Sequence, residues 1–379
     1  MRNVVLSRAA NIPIAEHIRS LLPYPPGKPV AELERELGIS GSIKLASNEN
    51  PLGPSPRAVA ALAGALGELH RYPEGDCHYL RHALAARLDV APECLLFGNG
   101  SNEVLELIVR TFLRPGEEAL MADQAFVVYR LVVQAAGGQS RIVPLRDFTH
   151  DLEALAAAVT PATRLLFLAN PNNPTGTIFG RDAWQKLLAA VPDDVLIVLD
   201  EAYAEYVEDP DYPDGLATFR AGRPLVVLRT FSKIYGLAGL RVGYGVTQPE
   251  LVDAMNRVRQ PFNVNSLAQI GALAALDDDE HVARSRACNR VGMDYLRREF
   301  EQLGLAVVPS WANFLLVHVG NGAALYDALL HKGVIVRPMG GYGFPDHLRM
   351  TIGTEAENRR LVLALGECLR ARELRGAAV

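Results

Sequence analysis

Cysteine is scarce in this chain: four residues in 379, at positions 77, 94, 288 and 368, and no two are spaced as Cys-x-x-Cys. That excludes a disulfide-framed secreted domain and fits a reduced, cytoplasmic compartment. Long apolar runs are missing too, and nothing approaches the roughly 20 residues that cross a bilayer, so no membrane partner is expected. The first eight residues, MRNVVLSR, lack the long apolar stretch and cleavage pattern of a secretory leader. Basic excess is also absent: 38 Lys and Arg stand against 43 Asp and Glu, a net charge of −5, which argues against a nucleic-acid partner. Cys77, His78 and His82 could share a helix face, but no third convincing ligand accompanies them, so no metal is expected. Repeats, low-complexity tracts and long linkers are not found.

What is present is an ordinary balance for a globular protein, 49% apolar and 21% charged, in a chain long enough for one large core and a second, smaller one. Helical and strand-like segments alternate from about 55 to 270. Helices are expected near 55–68, 76–88, 102–113, 124–136 and 181–190. Strands are expected near 94–97, 117–121, 140–144, 164–169, 195–199, 224–228 and 241–246. This alternation predicts an α/β fold with a mostly parallel sheet covered by helices. A long helix near 279–303, stopped by Gly304, then leads to strands near 305–309, 312–319, 333–337 and 347–352 and helices near 322–332 and 355–372. The implied division is residues 1–54 as an arm and part of a small α+β domain, 55–278 as the large domain, and 279–379 as the rest of the small one.

Four segments carry chemistry. In 97–103 a Gly-x-Gly loop opens an amphipathic helix, so Gly100, Ser101 and Asn102 offer an anion free N–H groups, side-chain donors and a helix N-terminus. The third glycine of the dinucleotide fingerprint is replaced by Glu103, and no Gly-Lys-Ser/Thr of a Walker loop follows. In 164–176 an apolar strand ends in a turn stiffened by Pro171 and Pro174, which can present Asn173 in one orientation. In 195–203 a buried-type strand ends at Asp200, the end at which open α/β sheets bind ligands, with Tyr203 three residues on. In 224–243 another strand leads to Thr230, Ser232 and Lys233, and then to Arg241 in a glycine-broken loop. A lysine so placed can condense with an aldehyde cofactor, and the two hydroxyls and Arg241 can hold that cofactor's phosphate.

Each segment alone has a plainer reading: a helix cap, a turn, a strand-end acid, a solvated lysine. Together, in this order, they resemble the pyridoxal-phosphate aminotransferases of fold type I. Within that superfamily the chain is most similar to histidinol-phosphate aminotransferases, through residues 22–29 (LPYPPGKP), 44–54 (KLASNENPLGP), 71–73 (RYP), 312–315 (ANFL) and 348–354 (LRMTIGT).

The resemblance implies pyridoxal 5'-phosphate bonded to Lys233, and roles for the residues around it. Asp200 would pair with the pyridine nitrogen, Asn173 and Tyr203 would hold the 3-oxygen, and Phe126 would stack on the ring. Gly100, Ser101, Asn102, Thr230, Ser232 and Arg241 would bind the phosphate. Arg349 would receive the substrate's anionic group, with Asn50, Tyr24 and Arg337 lining the substrate side. It also implies a homodimer, and transamination between histidinol phosphate and 2-oxoglutarate in histidine biosynthesis. An aromatic or broad-specificity aminotransferase would share all these residues, and a decarboxylase acting on a phosphorylated amino acid is a further alternative. Many relatives carry a tyrosine where Leu52 stands here, and it reaches the partner subunit's cofactor phosphate. Leucine cannot donate, so the phosphate has fewer partners here or another residue compensates.

Overall fold

The computed structural model describes residues 12–376, so the N-terminal segment 1–8 lies outside the described part. Its largest element is a seven-stranded sheet. The strands are β2 (Leu95–Gly98), β3 (Glu118–Ala122), β4 (Gln139–Val143), β5 (Thr163–Ala169), β6 (Leu196–Asp200), β7 (Leu225–Thr230) and β8 (Gly243–Val246), in the spatial order β2-β8-β7-β6-β5-β3-β4. All neighbours run parallel except β8, which is antiparallel to both β7 and β2.

Both faces of this sheet are covered, which is why its strands read as continuous apolar runs rather than alternating ones. Leu166, Leu168, Ile197, Leu199, Leu225 and Val227 pack on one side with Trp184 and Leu187 of the helix Arg181–Ala190. Leu165, Phe167, Val198, Val226 and Leu228 pack on the other with Val104, Leu105 and Ile108 of the helix Gly100–Phe112.

The remaining strands are β1 (Ile43–Lys44), β9 (Phe314–His318), β10 (Val334–Ile335), β11 (Arg337–Pro338) and β12 (His347–Thr351). A three-stranded antiparallel sheet, β11-β12-β9, packs against the long helix Asp279–Gln302 and the last helix, Glu355–Gly376, through Leu315, Val317, Leu348, Met350, Leu296, Phe300, Leu361 and Leu365. β1 pairs in parallel with β10, so the segment before the large sheet returns to the C-terminal part of the chain.

The expected strand at 305–309 does not form, and the segment contributes one isolated bridge, Val307 to Val317. The expected strand at 333–337 is divided: Val334 and Ile335 pair with β1, whereas Arg337 and Pro338 pair with β12, so the chain changes sheets at Val336. The helix expected at 124–136 starts later, as Val128–Ala135, which leaves Phe126 in the loop before it. Six α-helices among the described residues were not foreseen: Glu16–Arg19, Val30–Leu37, Leu152–Ala157, Gly215–Arg220, Pro249–Asn256 and Ser266–Leu276. The last is nearly all apolar and capped by Asn265, a composition that periodicity cannot separate from a buried strand.

The carboxyl ends of β2, β5, β6 and β7 lie along one edge of the sheet. Ala169 is level with Asp200, and Gly243 of the returning β8 is level with both Gly98 and Thr230. Three of the four chemical segments leave the sheet at this edge, and the fourth enters the helix Gly100–Phe112 there.

Candidate active site

A cavity of about 500 Å³ opens at that edge, and Lys233, Asp200, Tyr203 and Asn173 face it together. Gly100, Ser101, Asn102, Thr230, Ser232 and Arg241 line the same space, as do Phe126, Tyr24 and Arg349.

Lys233 follows β7 in a loop anchored by the buried side chains of Phe231 and Ile234. Three residues after Lys233, Gly236 adopts φ +69°, and a Cβ there would lie 2.1 Å from the backbone oxygen of Gly53, so only glycine lets these stretches of chain pass. The Lys233 ammonium makes one long contact, 3.5 Å to the carbonyl of Ser47, and sits 5.4 Å from the Tyr203 ring centroid. Burial and the positive charge of Arg349 pull its pKa down to about 8.

Asp200 ends β6. Its Oδ2 accepts from the Tyr129 hydroxyl at 2.8 Å and its Oδ1 from the Ala202 N–H at 3.1 Å. Burial raises its pKa, and these two donors act against that shift. Neither donor carries a positive charge, so the carboxylate still lacks a cationic partner in contact.

The anion cradle is built from close approaches. Gly100 has φ +71°, and a Cβ on it would lie 2.7 Å from Arg241 Nη2. A Cβ on Gly243 would lie 2.4 Å from the Ser101 N–H nitrogen, so the glycine brings β8 directly under the helix N-terminus. Glu103 stiffens the loop, with its Oε2 accepting from the backbone N–H of Asn99 at 2.6 Å and from Asn263 Nδ2 at 2.8 Å. The Thr230 hydroxyl accepts from the Ser232 N–H at 3.1 Å.

Arg349 reaches into the cavity from β12. Its Nη1 donates to Asn173 Oδ1 at 2.6 Å and its Nη2 to the carbonyl of Ala46 at 2.7 Å, while its Nε is buried without a partner. The guanidinium also lies 5.2 Å from the Phe314 ring centroid. Tyr203 accepts from Asn48 Nδ2 at 2.8 Å, which leaves its own proton to donate elsewhere.

Two expected substrate-side residues are not brought to the cavity wall. Asn50 donates instead to the carbonyl of Ile234 and to Ser285 Oγ, at 2.7 and 2.8 Å, and so braces the lysine loop from behind. Arg337 stands beside Arg349 in the β11–β12 register, but its guanidinium covers the ring of Tyr24 at 5.2 Å and donates to the carbonyl of Pro25. Asn48 and Tyr129 were not anticipated. A tyrosine amid apolar residues reads as core, and Asn48 works through a left-handed backbone (φ +56°) that no spacing reveals.

The donor set suits a phosphorylated aromatic aldehyde such as pyridoxal phosphate. It offers an amine of depressed basicity, a carboxylate without a cation, and a cradle of glycines, hydroxyls and one arginine. The model for aminotransferase class I and II matches residues 40–365. The chain belongs to that family.

Among these aminotransferases, the histidinol-phosphate aminotransferase of Moorella thermoacetica is 53% identical over 356 residues, covering 93% of this chain and 92% of that protein. The histidinol-phosphate aminotransferase of Methylobacillus flagellatus is 52% identical over 358 residues, covering 94% and 97%. The crystal structure of the Sinorhizobium meliloti histidinol-phosphate aminotransferase in complex with pyridoxal-5'-phosphate is 30% identical, with a TM-score of 0.88 over 96% of this chain and all of that one. A Thermus thermophilus aspartate aminotransferase, 23% identical with a TM-score of 0.81, shares the aminotransferase fold.

Proposed function

We propose that this aminotransferase uses pyridoxal 5'-phosphate to transfer the amino group of L-histidinol phosphate to 2-oxoglutarate, giving imidazole acetol phosphate and glutamate in histidine biosynthesis. The observation that carries the reading is identity above one half, over nearly the whole chain, to proteins named for that reaction. The site geometry is compatible with it, since one cavity is lined by both the anion cradle and Arg349.

Bound in the cavity, the cofactor supplies an electron sink for charge developing at the substrate's α-carbon. Lys233 would hold the cofactor through its ε-amino group, and that amine, once freed, would be the base that takes the substrate's α-proton. A pKa near 8 leaves a useful neutral fraction near neutral pH for that task. Asp200 would pair with the pyridine nitrogen and keep it protonated. Tyr203, whose oxygen is already engaged by Asn48, donates its proton to the 3-oxygen. Asn173 shares that oxygen through its amide nitrogen while its Oδ1 holds Arg349. Gly100, Ser101, Asn102, Thr230, Ser232 and Arg241 anchor the phosphate. Arg349 takes the substrate phosphate in one half-reaction and a carboxylate of 2-oxoglutarate in the other, since its planar fork suits both.

The working unit in this reading is a cytoplasmic homodimer, with the chain divided into 1–54, 55–278 and 279–379 as arm, large and small domains. Exposed apolar residues support a partner surface: Leu52 is 41% exposed, and Tyr72 (84% exposed) stacks on exposed Phe262 at 5.0 Å. Glutamate formation from histidinol phosphate and 2-oxoglutarate tests the reaction. No glutamate from that pair, with carbon dioxide released from threonine phosphate without need of a 2-oxo acid, would overturn it.

A further inference from the structure

Tyr129 is fully buried, three residues past Phe126, and the mechanism above gives it no part. Its hydroxyl donates to Asp200 Oδ2 at 2.8 Å. Its ring stacks on Phe167 of β5 at 5.0 Å with an 11° interplanar angle, and meets Phe126 edge-on at 5.6 Å and 87°. The phenol is thus clamped between a sheet residue and the aromatic ring that faces the cavity, and its one polar atom points at the carboxylate. Burial and the neighbouring Asp200 raise its pKa, so it stays a neutral donor throughout the working range. Asp200 Oδ1 is held separately by the Ala202 N–H, so the carboxylate is tied by one donor on each oxygen and cannot rotate freely.

We propose that Tyr129 is a positioning residue that keeps the Asp200 carboxylate ionised and turned toward the cofactor's ring nitrogen. The role rests on the cofactor reading above. A buried carboxylate without this donor would favour its neutral form and would pair less strongly with a pyridinium. Phenylalanine at 129 removes only the hydroxyl and leaves the ring stack intact.

The test measures the affinity of apo-protein for two aldehydes: pyridoxal 5'-phosphate, and its 1-deaza analogue, which has a ring carbon in place of the nitrogen. Tyr129→Phe is expected to weaken pyridoxal phosphate binding about tenfold. Binding of the deaza analogue, which has no nitrogen for Asp200 to pair with, is expected to change less than about twofold. In an Asp200→Asn background, Tyr129→Phe should add nothing further to the loss of pyridoxal phosphate. Equal losses for both aldehydes would reduce Tyr129 to a packing residue and overturn its role alone. Undiminished binding of pyridoxal phosphate to the Tyr129→Phe protein would do the same. A wild-type protein that takes up neither aldehyde would overturn the cofactor reading, and this role with it.

Discussion

Arg349 Nη1 donates to Asn173 Oδ1 at 2.6 Å, and this bond joins the three-stranded sheet to the loop that follows β5. One amide therefore touches both the arginine of the substrate wall and the cavity in which the cofactor would lie. The guanidinium also keeps a buried, unpartnered Nε, so part of its donor capacity is unused. Arg349→Lys keeps the charge but loses the fork. It is expected to lower kcat/KM for histidinol phosphate by about 100-fold, mainly through KM, with cofactor affinity unchanged. Steady-state kinetics beside a cofactor titration checks this, and a matching fall in cofactor affinity would mean that Arg349 serves the cofactor instead.

Lys233 gives a pH signature in the apo-protein. Its folded pKa of about 8 lies below the ordinary 10.5. Between those values the unfolded chain binds more protons, so stability rises with pH. Relative to Lys233→Met, the wild-type apo-protein should gain on the order of 3 kcal/mol as pH climbs from about 8 to 10.5. The gain should be lost as pH falls from 10.5 back to about 8. Denaturant titrations of both proteins at several pH values measure the difference, and a flat difference would refute the buried-lysine picture.

Gly243 sets how closely β8 approaches the cradle. A methyl group there would press on the Ser101 nitrogen and the Gly100 carbonyl carbon, at 2.4 and 2.7 Å, and neither backbone can yield cheaply. Gly243→Ala is expected to weaken pyridoxal phosphate binding by more than about tenfold, with a smaller effect on inorganic phosphate-independent properties such as the far-UV spectrum. Equilibrium dialysis of the apo-protein reads the affinity directly.

Thr351 Oγ1 accepts from the Asn48 N–H at 2.9 Å and donates to Asn48 Oδ1 at 3.1 Å, while Asn48 Nδ2 holds the Tyr203 hydroxyl. Thr351→Val strands two buried polar groups of Asn48 and should cost about 1–3 kcal/mol in unfolding free energy. Thr351→Ser should restore most of it. A Thr351→Val protein as stable as wild type, with Thr351→Ser destabilised, would assign the role of Thr351 to packing of its methyl.

The sheet was legible because β5, β6 and β7 are buried on both faces and each ends in a residue of distinctive chemistry or a proline-stiffened turn. The cradle was read from a Gly-x-Gly loop opening a helix, and Gly100 does sit where a Cβ would lie 2.7 Å from Arg241 Nη2. What escaped the sequence depends on contacts between distant segments. Asn48 meets Tyr203 across 155 residues and Thr351 across 303, and Tyr129 meets Asp200 across 71. No periodicity encodes such pairs. Asn50 and Arg337 carry the polarity expected of substrate ligands, but the structure commits that polarity to bracing Ile234 and Pro25. The division of 333–337 between two sheets is equally invisible, because Val334–Pro338 is one extended apolar-rich run whose partners lie near residues 43 and 349.

The most direct test is a single-turnover titration of the pyridoxal-phosphate-loaded protein, following the visible absorbance of the lysine-bound cofactor. Histidinol phosphate, phenylalanine, tyrosine and threonine phosphate would be added in parallel. Rapid bleaching of the band with histidinol phosphate, and much slower bleaching with the others, is the expected result. Faster conversion with an aromatic amino acid would contradict the proposed substrate, and no spectral change with any amine would contradict transamination itself.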